Sequence, residues 1–296
     1  MKLLLFLSCL LCTEATKVFN GTIKEAMLNM HGLSKLVSFL NETSILDHLS
    51  WAGSYTVFAP NNRALSELSA ARKEAFKNDT ALLEEIIKYH IALGVYKHAD
   101  LINDKKLRSL QDDEIRINVY KARHATTAEG CQIVNFDNIA SDGVIHVINE
   151  VMLPPDGRIA DILAIDPEFS IFYSLINGTK FIDLLNDNLL TLFAPNNAAF
   201  QNQPSSTIPQ IQADPALKEA IVKYHAVRGI LWTPGMHNGK LRTLSDDASD
   251  LLTVKLKHLH ITVQKAQIIN RDISANNGVI HTIDTVLFPP SKNVIG

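Results

Sequence analysis

The chain has 296 residues, of which 46% are hydrophobic and 20% are charged, and its formal net charge is −3 at pH 7. This composition is typical of a globular protein with enough apolar residues for two packed cores. No tract of basic residues runs along the sequence, which argues against a nucleic-acid-binding protein.

The N-terminus has the organisation of a signal peptide. A basic start, Met1-Lys2, precedes the apolar run Leu3–Cys12, which is too short to span a bilayer, and small residues follow up to Ala15. The alternative, a buried N-terminal helix, would need an amphipathic period that the run lacks. We therefore predict that residues 1–15 are cleaved and that the protein is secreted, into the extracellular space or matrix.

Cleavage would leave a single cysteine. Cys9 and Cys12 would be lost, and Cys131 alone permits no internal disulfide. Cys131 begins an apolar, strand-like segment, so we predict that it is buried as a small hydrophobic side chain; pairing with a second chain is the alternative. The segment 290–296 lacks the hydrophobic tail of a glycolipid anchor, and we predict no membrane anchor.

In the first half of the chain, helical patterns precede strand-like ones. Apolar residues at helical spacing predict short helices over 33–49 and a stronger helix over Leu82–Leu93, which Asp79 can cap. The segment 115–119 then alternates apolar and polar residues, which predicts a half-buried strand. Helices followed by antiparallel strands indicate the α+β class.

The second half follows the same order. Asp214 followed by Pro215 predicts a capped helix start. Further on, apolar residues occupy even positions from Leu252 and odd positions from Leu259. Because this change of parity would otherwise turn the apolar side outward, it predicts a turn or bulge near Lys257-His258.

The two halves are copies of one another. The pattern of Tyr55–Asn62 predicts a buried strand followed directly by a turn. The same pattern occurs again at Leu190–Asn197, where Thr191 corresponds to Thr56 at a spacing of 135 residues (191 − 56). Further pairs keep nearly the same spacing: Lys88-Tyr89-His90 with Lys223-Tyr224-His225, Leu107–Leu110 with Leu241–Leu244, Gly143–Ile148 with Gly278–Ile283, and Leu153–Pro155 with Phe288–Pro290. This period exceeds that of a solenoid repeat, so we predict two complete domains, 16–155 and 156–296.

These motifs together resemble the fasciclin domain: the T-V-F-A-P-x-[ND] strand-turn, the Tyr-His pair, the N-G-V-[IV]-H strand and the L-x-P-P stop. The resemblance covers about residues 17–155 and 156–290. It implies a wedge of two β-sheets with helices packed at its side. Asn62 and Asn197 stand where many family members have Asp, and Asn can still cap that turn.

The resemblance also implies a binding role for the Tyr-His pairs. In animal matrix fasciclin proteins this motif is reported as an integrin site, which carries over to Tyr89, His90, Tyr224 and His225. The alternative is that the phenols pack in the core while the hydroxyls and imidazoles satisfy buried polar groups.

A second family motif is a short Asp-Ile segment before the last strand. The matching residues here are Asn270, Arg271, Asp272 and Ile273, whereas the first copy reads Asn135-Phe136-Asp137-Asn138 and breaks the Asp-Ile adjacency. An exposed Asp would suit integrins, which bind a carboxylate through a divalent cation. The alternative is a loop that leads into the strand and has a capping Asp.

Four N-glycosylation sequons begin at Asn20, Asn41, Asn78 and Asn177. The number is close to what chance gives. Asn41 and Asn177 occupy matched positions in the two copies, each just before an apolar stretch of helical character. We predict that some of these sites are occupied and that they mark the surface.

The recurring histidines do not point to catalysis. His146 and His281 lie in strands and have no repeated nucleophile beside them, so we interpret them as hydrogen-bonded structural residues. His258 and His260 could lie on one strand face, but no third ligand is evident, and we predict neither a metal site nor a cofactor. A hydrolase that pairs the recurring histidines with Asp137 or Asp272 is the least favoured alternative.

The sequence therefore predicts a secreted cell-adhesion or matrix glycoprotein that recognises integrin-like receptors or matrix proteins and is not an enzyme. The alternative is a secreted carrier of a small lipophilic ligand, held between helix and sheet. An apolar cavity would favour the carrier, whereas a nucleophile about 3 Å from His90 or His225 would favour an enzyme.

Overall fold

A computed structural model describes residues 16–42, 54–257 and 260–292. The predicted signal peptide, the end of the segment 33–49 and His258 lie outside these ranges. No helix within the described ranges is long and apolar enough to cross a bilayer.

In each copy most of the helices precede most of the strands, as the α+β prediction requires. In the first copy the helices are α1 Ile23–Leu28, α2 Ser34–Glu42, α3 Asn62–Glu67, α4 Ala70–Asn78 and α5 Thr80–Tyr89. In the second copy they are α6 Ile159–Ile165, α7 Ser170–Ile176, α8 Lys180–Asp187, α9 Asn197–Gln201, α10 Thr207–Ala213 and α11 Pro215–Tyr224.

The strands form two sheets of matching topology. The first copy contributes β1 Lys17–Val18, β2 Tyr55–Pro60, β3 Ile91–Leu93, β4 Lys106–Arg108, β5 Glu114–Tyr120, β6 Ala125–Ala128, β7 Cys131–Ala140 and β8 Gly143–Ile148. The second contributes β9 Leu190–Pro195, β10 Ala226–Arg228, β11 Gly239–Arg242, β12 Leu251–Lys257, β13 His260–Val263, β14 Ala266–Ala275 and β15 Gly278–Ile283. Their orders are β3-β2-β8-β7-β6-β5-β4 and β10-β9-β15-β14-β13-β12-β11, and β1 pairs with β7.

The strand-turn motif caps a helix with its first Asn. Oδ1 of Asn61 accepts from the N–H of Ala64 at 2.8 Å. Oδ1 of Asn62 instead accepts from the N–H of Lys35, at 2.9 Å. The second copy repeats this division between Asn196 and Asn197. The prediction that Asn62 and Asn197 cap the turn was therefore wrong: the preceding residue has the extended backbone of an N-cap, and its neighbour reaches the adjacent helix.

The Tyr-His helix is shorter than predicted. It is capped by Asp79, as expected, but ends at Tyr89, and Ile91–Leu93 form strand β3. The apolar residues after His90 have helical spacing, yet Ile91 lies opposite Val57 in a strand pair. Pairing with β2 buries this short apolar segment and overrides its helical pattern.

Strand β5 is buried on both faces, although its alternation predicted one exposed face. Arg116 is 8% exposed and Asn118 only 1%. The equivalent strand β12 keeps Lys255 and Lys257 exposed, as alternation predicts. The predicted turn near Lys257-His258 falls where β12 ends and β13 begins, and Lys257 pairs with His260.

Each copy has one position in its central strand pair where only glycine fits, because a Cβ atom would clash with the neighbouring backbone. A Cβ atom on Gly278 would lie 2.1 Å from the carbonyl oxygen of Leu190, and one on Gly143 would lie 2.0 Å from that of Tyr55. These contacts join the central parallel strand pair at its start. Glycine therefore permits the close approach at the centre of each sheet.

The chain forms two compact units whose limits differ from those of the repeats. One contains the described residues up to Leu101 together with Leu107–Ile115 and Ile133–Val151. The other contains Ile102–Lys106, Arg116–Gln132 and the described residues from Met152 onward. The domain limits 16–155 and 156–296 stay predictions.

Within the second unit, the segment Arg116–Gln132 supplies part of the packing around Trp232. This indole is fully buried. Its Nε1–H donates to Oδ1 of Asn118 at 2.9 Å, and the backbone N–H of Trp232 donates to the Tyr120 hydroxyl at 3.1 Å. Gly130, at φ +80°, lies against the ring, where a Cβ would be only 2.7 Å from it.

Candidate functional site

The Tyr-His pair of the second copy is buried and fully engaged. The Tyr224 hydroxyl donates to the carbonyl of Leu251 at 3.1 Å and accepts from the Gln264 amide at 2.6 Å. Nε2 of His225 accepts from the N–H of Leu287 at 3.0 Å, so Nδ1 carries the proton and donates to the Ile221 carbonyl at 2.8 Å. Burial lowers the pKa of His225 to about 4.

The first copy builds the same helix end. Tyr89 is 0% exposed, and its hydroxyl donates to the Glu114 carbonyl at 3.2 Å. His90 is 5% exposed, its Nδ1 lies 2.7 Å from the Ile86 carbonyl, and burial lowers its pKa to about 4. These contacts have the geometry of the core alternative. Partner binding by the four side chains stays a prediction, and it would require the helix end to open.

Asp272 lies at a bulge in strand β14, between the paired residues Asn270 and Ile273. Its backbone is left-handed, with φ +58°. One oxygen of its carboxylate accepts from the N–H of Thr233 at 2.8 Å, and the other accepts from the Thr233 hydroxyl. Only 12% of the side chain is exposed, so the carboxylate ties the bulge to the turn that holds Thr233.

The other three residues of the predicted Asp-Ile site divide between surface and core. Asn270 and Arg271 are exposed, whereas Ile273 packs against the main core of the second unit. Ile269, which the sequence analysis did not single out, is 48% exposed for a large apolar residue. Its counterpart Val134 is 45% exposed. The repeat alignment shows an apolar residue at this position of both copies, but only the structure shows that it is exposed.

A buried histidine supports each bulge. Nδ1 of His281 accepts from the N–H of Asp272 at 3.2 Å, and its Nε2–H donates to the Leu231 carbonyl at 2.9 Å. Both ring nitrogens are thus occupied, as expected of a structural histidine. Although the Asp272 carboxylate opposes the effect, burial lowers the pKa of His281.

The first copy repeats this arrangement without the Asp-Ile adjacency. Asp137, at φ +55°, accepts from the N–H of His98 at 2.8 Å and donates its own N–H to His146 at 3.3 Å. Nε2–H of His146 donates to the Tyr96 carbonyl at 2.8 Å, and burial lowers the pKa of its ring. The Asp-bulge-His arrangement is therefore a feature of the fold in both copies.

The described residues include no group of three or more His, Cys, Asp or Glu side chains that could hold a metal ion. Of the two histidines considered as metal ligands, His258 lies outside the described residues. His260 is exposed, and its Nδ1 is 3.1 Å from the Gln267 amide. Cys131 is buried, as predicted.

An apolar cavity lies in the first unit, between helices α2, α4 and α5 and strand β2. Its lining includes Phe39, Phe58, Phe76 and Ile86, and the ring of His90 also borders it without exposing a polar atom to it. The cavity volume is about 40 Å³. Pockets for drug-sized ligands have roughly 300–1,000 Å³, so this cavity accommodates no lipophilic ligand of that size without expansion.

All four sequon asparagines, Asn20, Asn41, Asn78 and Asn177, are exposed. A glycan on any of them would extend into solvent without disturbing a core. Their occupancy stays a prediction.

The fold and these sites define a tandem α+β protein in which a capped strand-turn, a buried Tyr-His helix end and an Asp bulge held by a histidine each occur twice. The family model described as the fasciclin domain matches residues 31–154 and 167–289. The chain belongs to the fasciclin-domain family, and the resemblance read from its motifs is confirmed.

Similar proteins cover most of this chain. Stabilin-2 of Mus musculus is 31% identical over 84% of the chain, and periostin of Homo sapiens is 29% identical over 90%. A solved FAS1 domain pair from the insect cell adhesion molecule fasciclin I covers 89% of this chain and 99% of its own, at 18% identity and a TM-score of 0.42. The chain spans only 10% of stabilin-2 and 32% of periostin.

Proposed function

We propose that this protein is a secreted adhesion or matrix protein that binds an integrin-like receptor or a matrix protein and turns over no substrate. Membership of the fasciclin-domain family supports this proposal, as do the signal-peptide pattern and the exposed sequons. The occupied ring nitrogens of His225 and His281 also support binding over catalysis, since neither is available as a general base.

The observation that carries the proposal is the exposed segment Ile269-Asn270-Arg271 in the second copy. It combines an apolar, an amide and a cationic side chain, all exposed, at consecutive positions of strand β14. Asp272 and His281 hold the following bulge in place. A rigid backbone that presents mixed side chains loses little conformational entropy on binding, which favours recognition.

Asp272 has an indirect role in this proposal. A cation-mediated contact to its carboxylate would first have to break both hydrogen bonds to Thr233. We therefore assign the direct contacts to Asn270 and Arg271, and the positioning of the segment to Asp272 and Ile273. Tyr89, His90, Tyr224 and His225 support their helix ends from within the core.

The carrier of a small lipophilic ligand is the second candidate, and the apolar cavity of the first unit favours it. A solvatochromic apolar dye titrated into the purified protein tests it. Binding that is lost when the cavity is filled by Leu36→Phe, a substitution of a lining residue, in a folded variant, would support the carrier. Absence of dye binding at saturating dye would contradict it.

Attachment of cells to the immobilised protein, with and without EDTA, tests the main proposal. We expect Asn270→Ala/Arg271→Ala to reduce cation-dependent attachment at least tenfold without changing the melting temperature. Gln212→Ala/Lys218→Ala removes the same chemistry from the helices of the same copy and is the matched control. Equal attachment by both variants would show that the segment 269–271 is not the binding site. Absence of attachment by the native protein would contradict binding to a cell-surface receptor.

A further inference from the structure

The outer face of the second sheet carries a row of basic side chains that are not consecutive in the sequence. Lys240 and Arg242 are exposed on β11, and Lys255 and Lys257 are exposed on β12. In each strand the two residues are separated by one position, so both project from the same face. The opposite face of these strands, with Leu252 and Val254, packs in the core.

The strand register places these four cations in one line. Lys240 lies opposite Thr253, which is two positions before Lys255. Diagonal neighbours of this kind lie roughly 7–8 Å apart, and alternate residues along a strand lie about 7 Å apart. Arg242, Lys240, Lys255 and Lys257 therefore form a row about 20 Å long. We call these four residues the cationic row.

Hydroxyl groups flank the cationic row. Lys240 faces Thr253 across one strand pair, and Lys255 faces Thr262 across the next. Both threonines are half-buried on the same outer face. Lys240 beside the Thr253 hydroxyl supplies a charge and a directional hydrogen-bond donor for the oxygens of one anionic group, whereas the Thr262 hydroxyl donates to the Lys255 carbonyl at 3.4 Å.

No acidic side chain of the described residues pairs with the cationic row. Asp246, four residues after Arg242 in the sequence, pairs with Lys223 at 2.9 Å. Asp284 accepts from the backbone N–H of Gln267 at 2.8 Å. The positive charge of the face is thus left for an external anion.

The first copy lacks this face. Lys106 and Arg108 correspond to Lys240 and Arg242, but Arg108 pairs with Asp112 at 2.8 Å. On the adjacent strand, buried Asn118 stands at the position of Lys255. The cationic row is consequently specific to the second copy and is not required by the fold.

We propose that the cationic row binds a sulfated polysaccharide. Such a chain is a linear polyanion whose sulfates recur at regular intervals, which matches cations arranged in a row. The outward-facing described residues of β11, β12 and β13 include no Phe, Tyr or Trp side chain and only one apolar one, the half-buried Leu251, whereas an anionic membrane would favour several such anchors beside the cations. Binding to the polysaccharide goes beyond the receptor proposed above and requires no protein partner.

Binding of the full chain to fluorescent heparin over a series of NaCl concentrations tests this proposal. Lys255→Gln/Lys257→Gln removes two of the four charges from exposed positions. Counterion release then predicts roughly 10- to 30-fold weaker binding near physiological salt and a salt slope smaller by about 1.5. Lys180→Gln/Lys218→Gln removes the same charge elsewhere in the second copy, and we expect it to bind like the native protein.

Two further probes identify the source of the anion. We expect no measurable binding to desulfated heparin, and the same weakening by Lys255→Gln/Lys257→Gln with heparan sulfate. Equal losses in the two lysine pairs, or absence of heparin binding, would overturn the proposal. The proposal would also be overturned if Lys255→Gln/Lys257→Gln weakened binding to phosphatidylserine vesicles but left heparin binding unchanged. Because this assay contains no cells, its failure leaves EDTA-sensitive attachment as a separate measurement.

Discussion

The carboxylate of Asp272 accepts two hydrogen bonds from one residue, Thr233, through its backbone N–H and its hydroxyl group. The two residues are 39 positions apart. They join the bulge of β14 to the turn that follows the Tyr-His helix and strand β10. An acidic residue that a linear motif assigns to a receptor therefore has an internal role in this structure.

Replacing Asp272 should destabilise the second copy. Asp272→Ala removes both acceptors and places Ala at φ +58°, so we expect a loss of about 2–4 kcal/mol in the free energy of unfolding. Asp272→Asn keeps an acceptor and tolerates this backbone, and about half the loss is expected. Urea unfolding measures both.

Asp137→Ala is the matched control, because its carboxylate accepts from the N–H of His98 at the equivalent bulge. We expect a smaller loss there, of about 1–2 kcal/mol. An unchanged urea midpoint for Asp272→Ala would show that the hydrogen bonds to Thr233 do not stabilise the fold. The carboxylate would then be free to bind a cation.

Tyr224→Phe should affect stability and leave attachment intact. The substitution removes a hydroxyl that bonds the Leu251 carbonyl and the Gln264 amide, at an expected cost of about 1–2 kcal/mol. Thermal melting measures the loss, and cell attachment is measured at a temperature where the variant is fully folded. Reduced attachment by folded Tyr224→Phe would instead support the Tyr-His pair as a receptor site.

The protein should lose stability as the pH falls from about 6.5 to about 4. His90 and His225 have pKa values of about 4 in the folded chain, against about 6.5 when unfolded. Between these values the unfolded chain binds more protons, so their contribution is complete above pH 6.5 and declines as the pH falls. The loss amounts to about 3 kcal/mol for each histidine by pH 4.

Urea unfolding at a series of pH values measures this dependence. His225→Gln should be less stable at pH 7 and should show a smaller decrease between pH 6.5 and pH 4, because one titrating group is missing. His260→Gln makes the same substitution at an exposed position and is the control for the substitution itself. The same slope in the native protein and His225→Gln would contradict the buried, neutral state of His225.

Asn118→Ala should destabilise the unit that contains Trp232. The substitution leaves the buried indole N–H without its acceptor, at an expected cost of about 1–3 kcal/mol. Lys255→Ala changes the equivalent, exposed position of the second copy and should stay within about 0.5 kcal/mol. Urea unfolding followed by the fluorescence of Trp232, in a Trp51→Phe background, compares the two. Equal stabilities would show that the indole N–H has another acceptor.

Local patterns determined much of this structure. Caps such as Asp79 and Asp214, the strand-turn motif and the alternation of Leu252 and Val254 depend on residues close in sequence. The repeat strengthened each prediction, because the same pattern occurred twice. The α+β class and family followed from these signals. The end of the helix at Tyr89 did not, since Ile91 belongs equally well to a helical pattern.

Tertiary structure decided which of these residues face solvent. Alternation predicts the same exposure for Asn118 and Lys255, but only Asn118 is covered, by Trp232. The Asp-Ile motif cannot indicate that Asp272 turns toward Thr233, because that contact crosses 39 residues and depends on the bulge. The cationic row likewise arises only when β11 and β12 pair. Local propensity and spacing determined the elements, whereas burial and charge clustering depended on distant residues that only the folded chain brings together.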